Sequence, residues 1–389
     1  MTGLFLGYRF CFNAVFGFIA MLLKFIDIAS PDALICAFDA GRPAFRMEAL
    51  EQYKSQRPPM DDDLKVQFPI IEELLEAMNV PVVRIKGWEG DDVLGTIAAR
   101  LIAFGGAAAI GWIGLGQMAL AFGTRMTFLQ SVLLVLFVLT FTWVGLSFCS
   151  MLAGFLAPRL VTPTGPNDAR IAVIMPVYNE DASVTAGLLA ALARDLYRVG
   201  LGERAEIFVL SDSRKPEAVL SEMVAISRLR DISPVSVWYR RRRDNKGRKA
   251  GNVADFVRRW GGRYEQMVVL DADSIVGAAT IKALSARMHA DPAIGLIQTM
   301  PMLVGGQTIF ARLTQFAGRI YGPAIARGVA AWSGNSGNFW GHNAIIRVDA
   351  FAQCCGLPDL PGKAPFGGAI LSHDFVEAAL LRRAGFAAA

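Results

Sequence analysis

Histidine is scarce: three residues among 389, too few and too scattered for a histidine-built metal centre. Cysteine is scarce too. Cys11, Cys36, Cys149, Cys354 and Cys355 form no zinc-type spacing. That excludes a zinc ribbon or finger, and a cytoplasmic setting would keep these thiols reduced. Internal repeats are missing, which excludes solenoids and propellers. A basic start followed by a clean apolar core is missing as well, so no cleavable signal peptide is expected.

Charge is absent from two long stretches, residues 102–122 and 128–157. Each exceeds the ~20 residues that cross a bilayer. With 53% hydrophobic residues and a mean hydropathy of +0.39, the chain is too apolar for a purely soluble enzyme. Only Gly123-Thr124-Arg125-Met126-Thr127 separates the two stretches, which predicts a helical hairpin with both flanks on one side. Trp112, Trp143 and abundant Gly and Ala suit membrane packing. The second stretch is longer than one span needs, so it is expected to tilt or to continue along the interface. The net charge is +5, and most charge lies in the flanks. The positive-inside rule therefore places the flanks in the cytoplasm.

Three blocks result: residues 1–101, the membrane hairpin 102–157, and 158–389. The last begins after a Pro/Gly linker and alternates strand and helix signals. Strands are expected at 171–175, 206–210, 235–239, 266–270 and 294–298. Polar or acidic residues follow the first four, at the edge where open α/β sheets collect ligands. In the first block, strands are expected at 33–38 and 80–85, with a helix at 72–78.

What is present is a run of Met267 to Leu270 leading into Asp271-Ala272-Asp273. In an extended chain these two carboxylates share one side, and two adjacent anions favour a cation between them. Their hard oxygens suit Mg²⁺ or Mn²⁺. The plain alternative is a turn of two solvated acids. Asp212 follows a strand and is placed to accept hydrogen bonds from a base or ribose. Lys246, Arg248 and Lys249 could lie along a diphosphate. Asp374 precedes a helical stretch and reads either as a general base or as that helix's N-cap. The run Arg240 to Arg243 reads as a solvated or lipid-facing patch.

The motifs Pro176-Val-Tyr-Asn-Glu180, Asp212, Lys246-Gly-Arg-Lys-Ala-Gly-Asn252, Asp271-Ala-Asp273, Gln298-Thr-Met-Pro301 and Ser372-His-Asp374 occur in the order of processive family 2 glycosyltransferases. With Tyr239-Arg-Arg-Arg-Arg243, Phe256-Val-Arg-Arg-Trp260, Ile320-Tyr-Gly-Pro323 and Phe339-Trp-Gly-His-Asn-Ala-Ile-Ile-Arg347, residues 108–386 resemble the glucans biosynthesis glucosyltransferase H family. The resemblance implies a GT-A domain, α/β with a mostly parallel sheet flanked by helices, behind the transmembrane hairpin. It also implies a multi-pass bacterial inner-membrane enzyme with a cytoplasmic catalytic domain. That enzyme passes glucose from UDP-glucose to a growing glucan, building the β-1,2 backbone of osmoregulated periplasmic glucans. Asp212 would contact the uridine, and Asn179, Glu180, Lys246 and Lys249 would adjoin the nucleotide sugar. Asp271 and Asp273 would hold the nucleotide and a divalent metal, Asp273 more directly. Asp374 would deprotonate the acceptor hydroxyl in an inverting displacement. Phe339, Trp340, His342 and Asn343 would contact the acceptor, or else pack in the core. The family continues into a Gln-x-x-Arg-Trp motif and further membrane helices that the residues to Ala389 do not contain, so a C-terminally shortened transferase domain is expected. A non-catalytic UDP-sugar binder is the alternative this leaves open.

The first block differs. Ala37-Phe-Asp-Ala-Gly-Arg-Pro43, Tyr53-Lys-Ser-Gln-Arg57 and Trp88-Glu-Gly-Asp-Asp-Val93 resemble the 5′-nuclease domain of bacterial DNA polymerase I over residues 13–100. The resemblance implies a metal-binding carboxylate cluster from Asp39, Glu89, Asp91 and Asp92, with Tyr53, Lys54 and Arg57 on DNA phosphates. The block lacks the family's opening-strand Asp and its later acids, so a degenerate cluster with weak metal binding, no cleavage and no nucleic-acid partner is expected. Residues 1–101 are then a partial α/β fragment joined from a separate gene, with a 5′-nuclease activity as the competing reading.

Overall fold

The computed structural model describes residues 13–40, 62–85, 89–123, 125–157, 163, 165–274, 276–358, 360–362, 367–368, 370 and 372–389. Tyr53, Lys54 and Arg57 lie outside them. The chain divides into two compact units, Met1–Ala98 and Ala99–Ala389.

The first unit has helix α1 (Asn13–Ala29), strand β1 (Cys36–Phe38), helix α2 (Phe68–Ala77) and strand β2 (Val82–Arg84). The strands pair in parallel, Cys36 against Val82 and Phe38 against Arg84. Both are shorter than expected, and α2 starts four residues earlier, where Pro69 fits a first helical turn. Val15, Leu22, Ile71, Leu75 and Val80 form its small core. Helix α3 (Gly90–Arg100) follows.

In the second unit, a π-helical turn at Leu101–Gly105 leads into α4 (Gly106–Phe122), and α5 (Phe128–Leu156) returns. Thr127 starts α5 with a capping box, accepting from the Gln130 amide while the Gln130 side chain takes the Thr127 amide. The two helices pack through small residues: Gly111 faces Thr142, Gly114 faces Phe141 and Gly145 faces Ile110. Helical residues Gly90–Phe122 and Phe128–Leu156 are long and apolar enough to cross a membrane.

Seven strands then form one sheet in the order β5-β4-β3-β6-β8-β7-β9. They are β3 (Ile171–Val177), β4 (Ala205–Ser211), β5 (Val237–Arg241), β6 (Gln266–Val269), β7 (Ile294–Gln298), β8 (Ala344–Arg347) and β9 (Ala387–Ala388). Strands β5, β4, β3 and β6 are parallel neighbours, whereas β8 runs antiparallel between β6 and β7. The helices are α6 (Ala182–Arg198), α7 (Pro216–Ile232), α8 (Arg248–Trp260), α9 (Ala278–Ala290), α10 (Ile309–Ser333), α11 (Val348–Cys354) and α12 (His373–Arg383).

Alternation along β3 shows why its sequence reads as a continuous apolar run. Ile171, Val173, Met175 and Val177 enter one core with Leu189 and Leu196 of α6. Ala172 and Ile174 enter the other with Val253 and Phe256 of α8. Both sheet faces are covered, so polar alternation is lost. Each fully buried Val, Leu or Ile contributes roughly 1.5–3 kcal/mol. The sheet's parallel half ends at Val177, Ser211 and Val269, and the conspicuous acids follow those ends.

Candidate active site

The Asp271–Asp273 segment departs from the sequence expectation. Leu270 still donates to the Ile174 carbonyl, but Ser274 donates to the Asp271 carbonyl (3.0 Å) and closes a turn. The two acids thus sit on a turn at the end of β6 rather than on one side of an extended strand. Asp271 is half-buried and Asp273 exposed. The two also differ in company. Asp271 accepts from the Lys249 ammonium, and its second oxygen lies 4.0 Å from His342 Nε2. Asp273 has no side-chain partner among the described residues.

Lys249 lies in the first turn of α8, where a cation meets unfavourable backbone dipoles. The same ammonium that pairs with Asp271 also donates to the Gly341 carbonyl (2.7 Å). One side chain thereby joins the β6 turn to the loop of residues 339–343. Gln298, the last residue of β7, holds that loop from the other side. Its oxygen accepts from the Trp340 amide (2.9 Å), and its nitrogen donates to the His342 carbonyl (2.9 Å). Asn343 donates to the Val269 carbonyl (2.7 Å). Gly341 has φ +82°, and a Cβ there would lie 3.4 Å from Asp374 Oδ2, so backbone angle and close approach both favour glycine.

Asp374 is not an N-cap. Ser372 occupies that position, without a side-chain cap hydrogen bond, and Asp374 lies in the first turn of α12. Three residues on, Glu377 is 3% exposed, with His373 Nδ1 at 3.3 Å. Burial lifts the Glu377 carboxyl above the usual range, against the pull of His373.

Asp212 is 5% exposed at the end of β4. Its two oxygens accept from Arg242 Nε (2.7 Å) and Nη2 (2.6 Å), a bidentate pair. Arg242 also donates to the Lys246 carbonyl (3.1 Å) and the Arg248 carbonyl (3.0 Å), fixing the basic loop before α8. The Arg240–Arg243 run is thus not a uniformly solvated or lipid-facing patch. Alternation from β5 turns Arg240 and Arg242 inward and leaves Arg241 and Arg243 exposed. Arg240 donates to Asn252 Oδ1 (2.7 Å) and pairs with Asp255 (3.4 Å). Burial would lift the Asp255 carboxyl, yet Arg259, Arg240 and Arg258 together hold it below its ordinary range. The signal was the period of two, which a reading of net charge overlooks.

At the end of β3, Asn179 donates its amide to Ser213 Oγ (2.7 Å) and accepts from the Arg214 and Lys215 amides (3.2 Å each). It braces the loop after β4. Ser213 donates onward to the buried Glu222, which also accepts from Tyr239 (2.9 Å). Burial there pushes the Tyr239 hydroxyl up to about 12. Glu180 and Lys246 are exposed beside this edge. Phe339 is 2% exposed and packs in the core, the second of the two readings left open for it. Trp340 is 36% exposed, and His342 Nδ1 and Asn343 Oδ1 are buried without a hydrogen-bond partner. Each such atom costs about 1–3 kcal/mol unless a ligand supplies its bond.

In the first unit, the Gly90 amide donates to Asp39 Oδ1 (2.7 Å) at the start of α3. Glu89, Asp91 and Asp92 each offer a carboxylate oxygen within 4.8 Å of the others. All four acids named from the sequence therefore gather around that helix start.

With these sites in view, comparison with known proteins separates the two units. Residues 172–355 match the model of glycosyl transferase family 2. Residues 8–110 match the 5′-3′ exonuclease N-terminal resolvase-like domain. The chain is similar to proteins named glucans biosynthesis glucosyltransferase H. That of Shewanella sp. strain ANA-3 is 48% identical over 300 residues, covering 75% of this chain and 41% of the relative. That of Shewanella oneidensis is 48% identical over 297 residues, covering 74% and 41%. The chain therefore spans about two fifths of the length of these relatives.

Among solved structures, the mannosyltransferase PcManGT from Pyrobaculum calidifontis, in complex with GDP-Man and Mn2+, has a TM-score of 0.41 at 16% identity, covering 76% of this chain and 65% of that one. Glucosyl-3-phosphoglycerate synthase from Mycobacterium tuberculosis, in complex with Mn2+, UDP and glucosyl-3-phosphoglycerate, has a TM-score of 0.31 at 15% identity, covering 57% and 69%. The likeness to glycosyl transferase family 2 rests on the sequence matches.

Proposed function

We propose that the second unit transfers glucose from UDP-glucose to a growing glucan at the cytoplasmic face of a bacterial inner membrane. One observation carries this reading: Lys249 holds both Asp271 and the Gly341 carbonyl, next to Asp374. Donor acids, a cation and a candidate base thus share one sheet edge, as group transfer between two bound substrates requires.

In this reading, Lys246, Lys249 and the start of α8 face the diphosphate, and the loop held by Arg242 lies against the nucleoside with Asp212. Asp273 offers unengaged hard oxygens, which fit a Mg or Mn ion, with Asp271 beside it. When bound, the ion would offset charge on the diphosphate. Asp374 accepts the proton of the acceptor hydroxyl. The resulting oxygen bonds to the anomeric carbon as the bond to UDP breaks, and UDP leaves with the electron pair. One displacement inverts the centre, so an α-linked donor gives a β-linkage. Trp340, His342 and Asn343 would meet the acceptor, whose hydroxyls would satisfy the two orphaned polar atoms. The β-1,2 linkage and the periplasmic glucan product come from the family resemblance of the sequence motifs, and the named relatives support glucosyl transfer in glucan biosynthesis.

The test is UDP release from UDP-glucose by the chain in membranes. Asp374→Asn should lower turnover about 10²–10⁴-fold, the range of a lost general base, while donor binding persists. Unchanged turnover would remove Asp374 from this role.

The gathering of Glu89, Asp91 and Asp92 favours a second reading for the first unit alone. It is divalent-metal binding of the nuclease type. Calorimetric Mn²⁺ binding that Asp91→Asn removes would support it, and identical metal binding in the variant would end it.

A further inference from the structure

Two cysteines adjacent in sequence end helix α11. Cys354 is its last residue, and Cys355 follows as the C-cap. Cys354 is half-buried, and Cys355 is 2% exposed in the core with Phe351 and Leu381. The two Sγ atoms stand 3.8 Å apart. Cys354 Sγ donates to the Ala350 carbonyl (2.9 Å) within α11. Cys355 Sγ donates across to the Glu377 carbonyl of α12 (3.7 Å). Nothing in the proposed transfer chemistry uses either thiol.

Neighbouring thiols suit two chemistries, a disulfide and a shared ligand. Consecutive Cα atoms lie about 3.8 Å apart across a trans peptide, below the roughly 4.4–6.8 Å of ordinary disulfides. An S–S bond between these two residues is therefore disfavoured. A shared centre fits: two sulfurs each about 2.3 Å from one tetrahedral ion stand about 3.8 Å apart. Among the described residues, no third Cys, His, Asp or Glu joins the pair in a ligand group. Zn²⁺, which takes four ligands, is thus poorly served, and a soft centre satisfied by two sulfurs is well served. Burial pushes both thiols up, with charge on Cys354 and Glu377 adding to the rise at Cys355. Each thiol alone is then a poor nucleophile, and the pair favours ligands that take both sulfurs together.

We propose that Cys354 and Cys355 form a vicinal-dithiol site that chelates one soft, thiophilic centre of the trivalent-arsenic class, and that its occupation loosens α12. With phenylarsine oxide, two As–S bonds replace the bonding between arsenic and oxygen. The two thiol protons leave with that oxygen as water. Arsenic stays trivalent, so no oxidant is needed. Binding takes the Cys355 proton from the Glu377 carbonyl and removes a tie between α11 and α12. Asp374 lies in the first turn of that helix. Chelation by the pair is independent of the proposed transfer, whereas its bearing on Asp374 rests on that reading.

Phenylarsine oxide added to the detergent-solubilised full chain tests it, with adducts counted by mass spectrometry. The parent should carry one adduct more than Cys354→Ser or Cys355→Ala, and peptic digestion should map it to the peptide holding 354–355. That adduct should survive excess 2-mercaptoethanol and be stripped by 1,2-ethanedithiol, as a two-sulfur chelate requires. Deuterium uptake over residues 373–383 should rise several-fold on binding, while uptake over α8 should hold. Equal adduct counts in parent and variants would overturn the site. So would a parent adduct that maps elsewhere or is lost to 2-mercaptoethanol, a result that needs no variant to fold. Unchanged exchange over 373–383 in the adduct would overturn the effect on α12. None of these readouts uses UDP-glucose, so each decides the matter even in a chain that transfers no glucose.

Discussion

Lys249 concentrates several roles in one side chain. It offsets Asp271, ties down Gly341 and brings positive charge to the start of α8. Lys249→Met leaves Asp271 without its charged partner and frees the loop. Both groups are partly solvated, which tempers the loss. A cost of about 1.4 kcal/mol would raise the Kd for UDP-glucose tenfold, and calorimetry reads it directly.

Glu377 gives a pH test. Burial raises its carboxyl above the unfolded value of 4.5, so the folded chain binds more protons between the two values. Its contribution to stability is therefore fully present below the unfolded value and is lost as pH rises through the folded one. Glu377→Gln should flatten this decline. Relative to the parent, its Tm should rise near neutral pH, and the gain should vanish in acid.

Most acids of the site were legible as residues, because Asp212, Asp271, Asp273 and Asp374 stand next to apolar strands or a helix start. Their partners were less so. Arg242 was hidden in a run of four arginines, and Gly341 showed only as a position inside the Phe339–Arg347 motif, with no role of its own. Such roles depend on which strands become neighbours, which local spacing does not state.

At the scale of elements, the five expected strands of the second unit all formed within about two residues, since buried runs bounded by polar residues leave little choice. Strand β8 was not foreseen. Its four residues read as part of a motif, and antiparallel insertion between β6 and β7 is a long-range event. Helix α10 was missed for a different reason. Its apolar and basic residues mix in sequence and separate only around the helix, and Pro323 suggests a break that the structure does not make.

At the α5–α10 crossing the two backbones meet through glycine, at Gly154 and Gly328. Gly328→Leu drives a side chain into the Ser150 backbone, and overpacking of this kind costs about 1–3 kcal/mol. The melting point in detergent should fall. Gly318→Ala meets nothing within 4 Å on the same helix, and replacing a helical glycine stabilises by roughly 0.5–1 kcal/mol. Its melting point should hold or rise.

The whole molecule matches two family models in succession, over residues 8–110 and 172–355, and the sequence changes from a charged block to charge-free helix near Leu101. The two compact units divide between Ala98 and Ala99. The separate acid groups predict separate chemistries. Asp91→Asn should leave UDP-glucose binding unchanged in the full chain, and Asp273→Asn should leave Mn²⁺ binding by the Glu89–Asp92 group unchanged.

The most direct test of the second unit's role is calorimetric binding of UDP-glucose to the detergent-solubilised full chain, with and without Mn²⁺. The account predicts saturable binding that needs the metal, weakens about tenfold in Asp273→Asn, a loss of about 1.4 kcal/mol, and is untouched in Asp91→Asn. Absence of binding with the metal present, or equal binding in Asp273→Asn, would contradict it.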